Sequence, residues 1–105
     1  MKRLPVEYGD SARDDVDSIF LYVLDESQSY PTAVHYTDRL YARCERIGDA
    51  PRGGASREDL GRGLRLVPFE DAGVILYRVE SEAVWIVRIF LGGQDYDAIM
   101  RGEEQ

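Results

Sequence analysis

Leu4, Val6 and Tyr8 alternate with other residues at period two, the pattern of a short half-buried strand, and Gly9-Asp10 ends it. The period then lengthens. Ser11 is placed to cap a helix, with Asp14 three positions on in the manner of a capping box and Asp15 and Asp17 favouring the positive helix start. Its apolar stripe is Ala12, Val16, Ile19, Phe20 and Val23. Pro31 marks a second helix start, and Ala33, Tyr36, Leu40, Cys44 and Ile47 give its buried face before Gly48 stops it. The link around Ser29-Tyr30 is so short that the two helices must form an antiparallel hairpin.

Residues 49–63 lose all apolar periodicity except for the anchor Leu60, and contain glycines at 53, 54, 61 and 63. A loop this long in so small a chain is a candidate for function. Period two returns in three runs, Leu64 to Phe69, Gly73 to Val79 and Ala83 to Leu91, separated by Glu70-Asp71 and Glu80-Ser81-Glu82. They predict an antiparallel meander. Strand parity puts Arg65 with Val67 and Phe69, and Arg78 with Val74 and Leu76. On the third strand it puts Trp85, Val87 and Ile89 on one side, and Val84, Ile86, Arg88 and Phe90 on the other. With both faces apolar, that strand is central, covered on one face and either covered or used by a partner on the other. A last helical turn capped by Asp95 runs to about Met100, followed by the polar end 101–105.

The whole is an α+β chain: one strand, two helices, then three antiparallel strands, with the helical hairpin packed on one face of the sheet. With 105 residues, 44% of them hydrophobic, it has room for one domain and one real core, which we place over residues 1–105 with the core at about 4–100. Cys44 is the only cysteine, so no intramolecular disulfide forms and no Cys/His metal cluster can be built around it; it falls on a buried stripe and reads as a small core hydrophobe. No cofactor or metal site is expected. The clustered Asp14, Asp15 and Asp17 read as a solvated helix start rather than a divalent-cation site. No run is apolar enough to span a bilayer, and a reducing, cytoplasmic setting is expected.

The net charge of −7 argues against a protein that binds nucleic acid through its phosphates. Yet Arg52, Arg57, Arg62 and Arg65 lie close together with only Glu58 and Asp59 among them, so they either form a local basic patch or, the simpler reading, pair with the surplus Asp and Glu on the surface. Arginine, planar and permanently charged, suits fixed contacts with carboxylates. Three further arginine questions arise on the sheet, because Arg65, Arg78 and Arg88 sit on apolar faces: each either pairs with an acid from a neighbouring element or presents itself to a partner. His35, off the buried stripe near Arg39 and Arg46, reads as a solvated surface residue.

Read in order, Pro51, Gly54, Arg57, Leu60, Gly61, Gly63-Leu64-Arg65, Pro68, Ile75, Tyr77-Arg78, Ile86-Val87-Arg88, Gly93 and Asp95 form a sparse set whose spacing resembles the ParE branch of the ParE/RelE toxin superfamily. The resemblance covers roughly residues 4–100. It implies the toxin of a type II toxin–antitoxin pair that inhibits DNA gyrase by binding it, with no catalysis of its own, and that is neutralised by a ParD-like antitoxin whose C-terminal segment folds on the toxin.

Two alternatives stay open. One is a RelE-like ribosome-dependent mRNA endonuclease, in which the position matching Arg65 belongs to the catalytic set. Metal-free RNA cleavage needs several cations and a proton donor converging on one cleft, whereas here Lys2 is the only lysine and no basic residue lies between Ile89 and Met100. The other is an attenuated antitoxin-binding module. Family members usually carry arginine where this chain has Gln94, immediately before Asp95. The residues expected to meet the antitoxin or target are therefore Arg52, Arg57, Arg62, Arg65, Arg78, Trp85, Arg88, Phe90, Gln94 and Asp95.

Overall fold

The computed structural model describes residues 3–103, so Lys2 and the last two residues of the polar end lie outside it. The chain runs β1 (Val6–Tyr8), α1 (Asp10–Ser27), α2 (Tyr30–Ile47), β2 (Ala55–Ser56), β3 (Arg65–Phe69), β4 (Gly73–Glu80), β5 (Ala83–Phe90) and α3 (Tyr96–Glu103). Its strands form one sheet in the order β1-β5-β4-β3-β2. The expected meander is β3, β4 and β5, all antiparallel. β1 lies parallel to β5, with Val6 opposite Val84, because the helical hairpin carries the chain across a sheet face before it re-enters.

That hairpin covers one face. Ala12, Val16 and Ile19 of α1 and Leu40, Cys44 and Ile47 of α2 pack on Val67, Phe69, Ile75, Tyr77, Val84, Ile86 and Ile89. On the opposite face a smaller core gathers Leu64, Val74, Leu76 and Phe90 beneath Leu60 of the long loop and Met100 of α3. The apolar second face of the meander is thus partly covered by the chain itself.

Several expectations need correction. Ser11 does not cap α1: the helix starts at Asp10 after an extended Gly9 with no side-chain cap, and the Gly9 N–H is spent on the Ile86 carbonyl at 3.0 Å. The strand-to-helix junction is too tight for a separate capping residue. Ser29 does cap α2, accepting from the Thr32 N–H at 3.3 Å, with Pro31 in the first turn. The long loop contains β2, which pairs Ala55 with Leu66 and Ser56 with Arg65; a two-residue strand leaves no period to detect. α3 reaches Glu103 rather than Met100.

Parity on β5 also fails. Leu76 pairs with Arg88 but Tyr77 with Ile86, so Val87 is an extra residue, a β-bulge. Beyond it the sides exchange. Ile89 joins Val84 and Ile86 under the hairpin, while Arg88 and Phe90 move to the face of Trp85 and Val87.

The start of the long loop is fixed from below. The buried Tyr77 hydroxyl donates to the Pro51 carbonyl and accepts the Gly54 N–H, both at 2.9 Å. A Cβ at Gly54 would lie 2.6 Å from that hydroxyl, so only glycine fits.

Candidate partner-binding surfaces

The three sheet arginines meet three different fates. Arg88 pairs with an acid as its structural reading required: its Nε and Nη2 reach the two carboxylate oxygens of Asp15 at 2.8 and 3.1 Å, and Asp15 also accepts the Ile89 N–H at 2.8 Å. Both side chains are 15% exposed. β1 ends opposite Ile86, so Asp15 caps the part of β5 where no neighbouring strand continues. Nothing in the spacing could reveal this contact between residues 73 apart.

Arg65 finds no acid. One Nη donates to the carbonyls of Arg52 and Gly54 at 3.1 and 2.9 Å, so Arg65 and Tyr77 together hold the loop against the sheet. Arg78 has no ion pair among the described residues, and its Nε is buried without a hydrogen-bond partner. It stands opposite Trp85 on the outer face. Around it Gly9, Asp10, Ser11, Glu80, Trp85 and Val87 line a shallow open cleft of about 280 Å³. Trp85 is 37% exposed, whereas Phe90, also expected to meet a partner, is closed off at 2%. Its ring lies 6.1 Å from that of Tyr96, and the Arg88 guanidinium lies over it at 4.8 Å from its centre.

The loop arginines do not act as one patch. Arg57 pairs with Asp59 at 2.9 Å and Asp97 at 3.1 Å and reaches the Tyr96 hydroxyl at 3.2 Å. Arg101 closes the circuit to Asp59 and to Asp97. The hydrogen bond from Arg57 holds the Asp59 carboxyl down at about 2, and Arg101 lowers that of Asp97. This network clasps α3 to the loop over the second core. Arg52 and Arg62 remain exposed, with no side-chain ion pair among the described residues.

Asp95 caps α3 as expected, accepting the Ala98 N–H at 3.1 Å. Gln94 accepts the Leu91 N–H at 2.8 Å and so closes the turn between β5 and α3. An arginine, which has no acceptor, could not make that bond. Beside this turn Ser18, Ile19, Tyr22, Leu91 and the Gly92-Gly93-Gln94 backbone line a mostly apolar groove of about 400 Å³. The Tyr22 side of that groove was not foreseen, since Tyr22 lies off the buried stripe of α1.

His35 is exposed. Cys44 is fully buried, and burial pushes its thiol up to about 12, which fits a core hydrophobe and not a nucleophile. No helix is long and apolar enough to cross a membrane, and no group of three or more His, Cys, Asp or Glu could hold a metal ion, among the described residues.

A hairpin-backed, five-stranded sheet with a clasped second face defines an α+β domain. Over residues 6–96 the chain matches the family model of the ParE toxin of type II toxin–antitoxin systems, parDE, and it belongs to that family. Comparison with curated proteins gives no match. Among solved structures, a chain of the chromosomal ParDE TA system from P. aeruginosa is similar, with a TM-score of 0.71 at 18% identity, covering 84% of this chain and 95% of that one. At that identity the likeness is one of fold.

Proposed function

We propose that this chain is a toxin that inhibits DNA gyrase by binding it and that is neutralised by a ParD-like antitoxin folding onto its surface. Membership in the ParE family supports the toxin role. The observation that carries the antitoxin surface is the open face at Arg78, Trp85 and Val87. There a guanidinium Nε is buried without an acceptor beside an exposed indole. An unsatisfied buried donor costs about 1–3 kcal/mol, and a partner carboxylate or carbonyl would offset it. An amphipathic helix followed by an acidic tail supplies both the apolar cover and the acceptor.

A binding mode is favoured over RNA cleavage by where the cations went. Arg65 faces the hairpin side and is bound by loop carbonyls, and the Tyr96 hydroxyl is taken by Arg57. Arg65 and Tyr96 thus lie on opposite faces of the sheet, and cation and hydroxyl do not converge on one cleft. The second reading, an antitoxin-binding module of weak toxicity, rests on Gln94, whose acceptor role in the turn an arginine does not share.

The deciding experiment adds purified protein to gyrase and scores supercoiling and linear DNA, with primer extension on induced cells in parallel. Lost supercoiling with linear DNA is expected. Codon-dependent messenger cleavage would reverse the proposal, and an unaffected gyrase with intact antitoxin binding would leave the weak module as the function.

A further inference from the structure

On the flank opposite the clasp, α2 segregates its charges. Arg39, Arg43 and Arg46 fall on one helical stripe, while Asp38 and Glu45 lie on the other side, where Glu45 meets Arg3 at 3.6 Å and the Tyr8 hydroxyl at 3.2 Å. The arginine stripe faces the outer edge of β3 across a cleft of about 340 Å³, lined by those three arginines with Ala42, Pro68 and Glu70. Two of the three guanidinium groups are held in place. Arg39 is locked on Glu70 by paired bonds of 2.8 and 3.2 Å, and Arg43 is anchored through its Nε to the Pro68 carbonyl at 3.3 Å. Arg43 thus keeps its two terminal nitrogens for another acceptor, and Arg46 is exposed with no ion pair among the described residues. In a chain of net charge −7 this is a concentrated positive site.

We infer that this cleft docks an extended, acidic protein segment whose carboxylates stand at alternate positions, one on Arg43 and one on Arg46. Side chains three apart on a helix are about 5–6 Å apart at Cβ. Alternate side chains of an extended chain lie on one side at a spacing of about 6.5 Å, close enough for long guanidinium arms to match. Bidentate arginine–carboxylate pairs give such a contact its direction. The segment is held by side chains and not by strand pairing, because Pro68, the outward-facing residue of β3, has no N–H to donate and its carbonyl is already taken by Arg43. A nucleic-acid strand also presents anions at regular spacing, but the acidic remainder of the chain repels a long polyanion. The site is separate from the Arg78–Trp85 face and does not depend on the antitoxin reading.

The test uses fluorescence anisotropy with the full chain and three labelled probes: a short peptide of alternating aspartate and serine, the same composition with the aspartates contiguous, and single-stranded DNA of matching charge. The alternating peptide is expected to bind tightest. Arg46→Glu, which breaks no side-chain hydrogen bond or ion pair among the described residues, should weaken it by about tenfold, as should Arg43→Glu. Arg13→Gln, at an exposed cation on α1, should change it by less than about twofold. Equal binding of both peptides, an Arg46→Glu variant that binds like the parent, or tighter binding of the DNA would each overturn the inference.

Discussion

Arg65 and Arg88 show how one residue type at similar sequence positions comes to different work. Arg88 belongs to a mostly buried pair in which Asp15 satisfies both the guanidinium and a strand N–H. Asp15→Ala should therefore cost about 3 kcal/mol, since it takes the carboxylate away from a mostly buried guanidinium and leaves the Ile89 N–H without its acceptor. Asp15→Asn, which keeps one acceptor, should cost less. Urea unfolding measures both, and an Asp15→Asn midpoint as high as that of the parent would show that the carboxylate charge is not what matters. Arg65 instead ties two loop carbonyls, so Arg65→Ala should cost about 1–3 kcal/mol and speed amide exchange across residues 52–55. Spacing revealed that these arginines sat on apolar faces but not what they met, because Asp15 and the Arg52 and Gly54 carbonyls come from distant chain. A carbonyl partner leaves no mark in sequence at all.

At the scale of elements, the strand-hairpin-meander order could be read because α2 and β4 carry strong, uninterrupted periods and β5 is apolar along its length. Three features escaped for physical reasons. β2 is two residues long, the bulge at Val87 shifts parity inside an otherwise regular strand, and the covering of Phe90 depends on α3 folding back. That covering rests on the Arg57, Asp59, Asp97 and Arg101 clasp, whose acids titrate early. The Asp59 pKa is depressed from its ordinary 3.8 to about 2 by Arg57. A carboxylate depressed on folding contributes stability that is complete above its unfolded value and disappears as pH falls through its folded value. The clasp should accordingly weaken between about pH 4 and 2, and in high salt, since its charges are exposed. NMR of the Met100 methyl and Tyr96 ring should show α3 loosening over that range ahead of the hairpin core. Simultaneous loss of both would mean that α3 is not a separately held element. The same turn offers a second check. Gln94→Arg removes the acceptor for the Leu91 N–H and should lower stability by about 1 kcal/mol, while any gain in gyrase inhibition would assign the family arginine to the target.

For the whole molecule, the sheet's edges decide how partners can approach. A five-stranded sheet has two edges, and each is blunted. On one side β1 is only three residues long, and where it stops Asp15 occupies the N–H of Ile89. On the other, β2 covers only Arg65 and Leu66, and beyond it the outward position is Pro68, with no N–H and a carbonyl held by Arg43. Short edge strands, an edge proline and a charged side chain on the edge carbonyl are the usual protections against strand addition. The chain thus exposes faces and clefts to partners but little backbone. Pro68→Val restores an outward N–H on a β-favouring residue, next to an edge that Arg43 alone would then guard. It should keep the fold, because Pro68 is exposed and its pairing with Val74 needs no proline nitrogen. Its expected effect is concentration-dependent association, seen as a rising apparent mass in light scattering, and stronger still in Pro68→Val combined with Arg43→Ala. A double variant that stays at the mass of the parent at every concentration would show that the edge is closed by the geometry of the loop and α2 and not by these two residues.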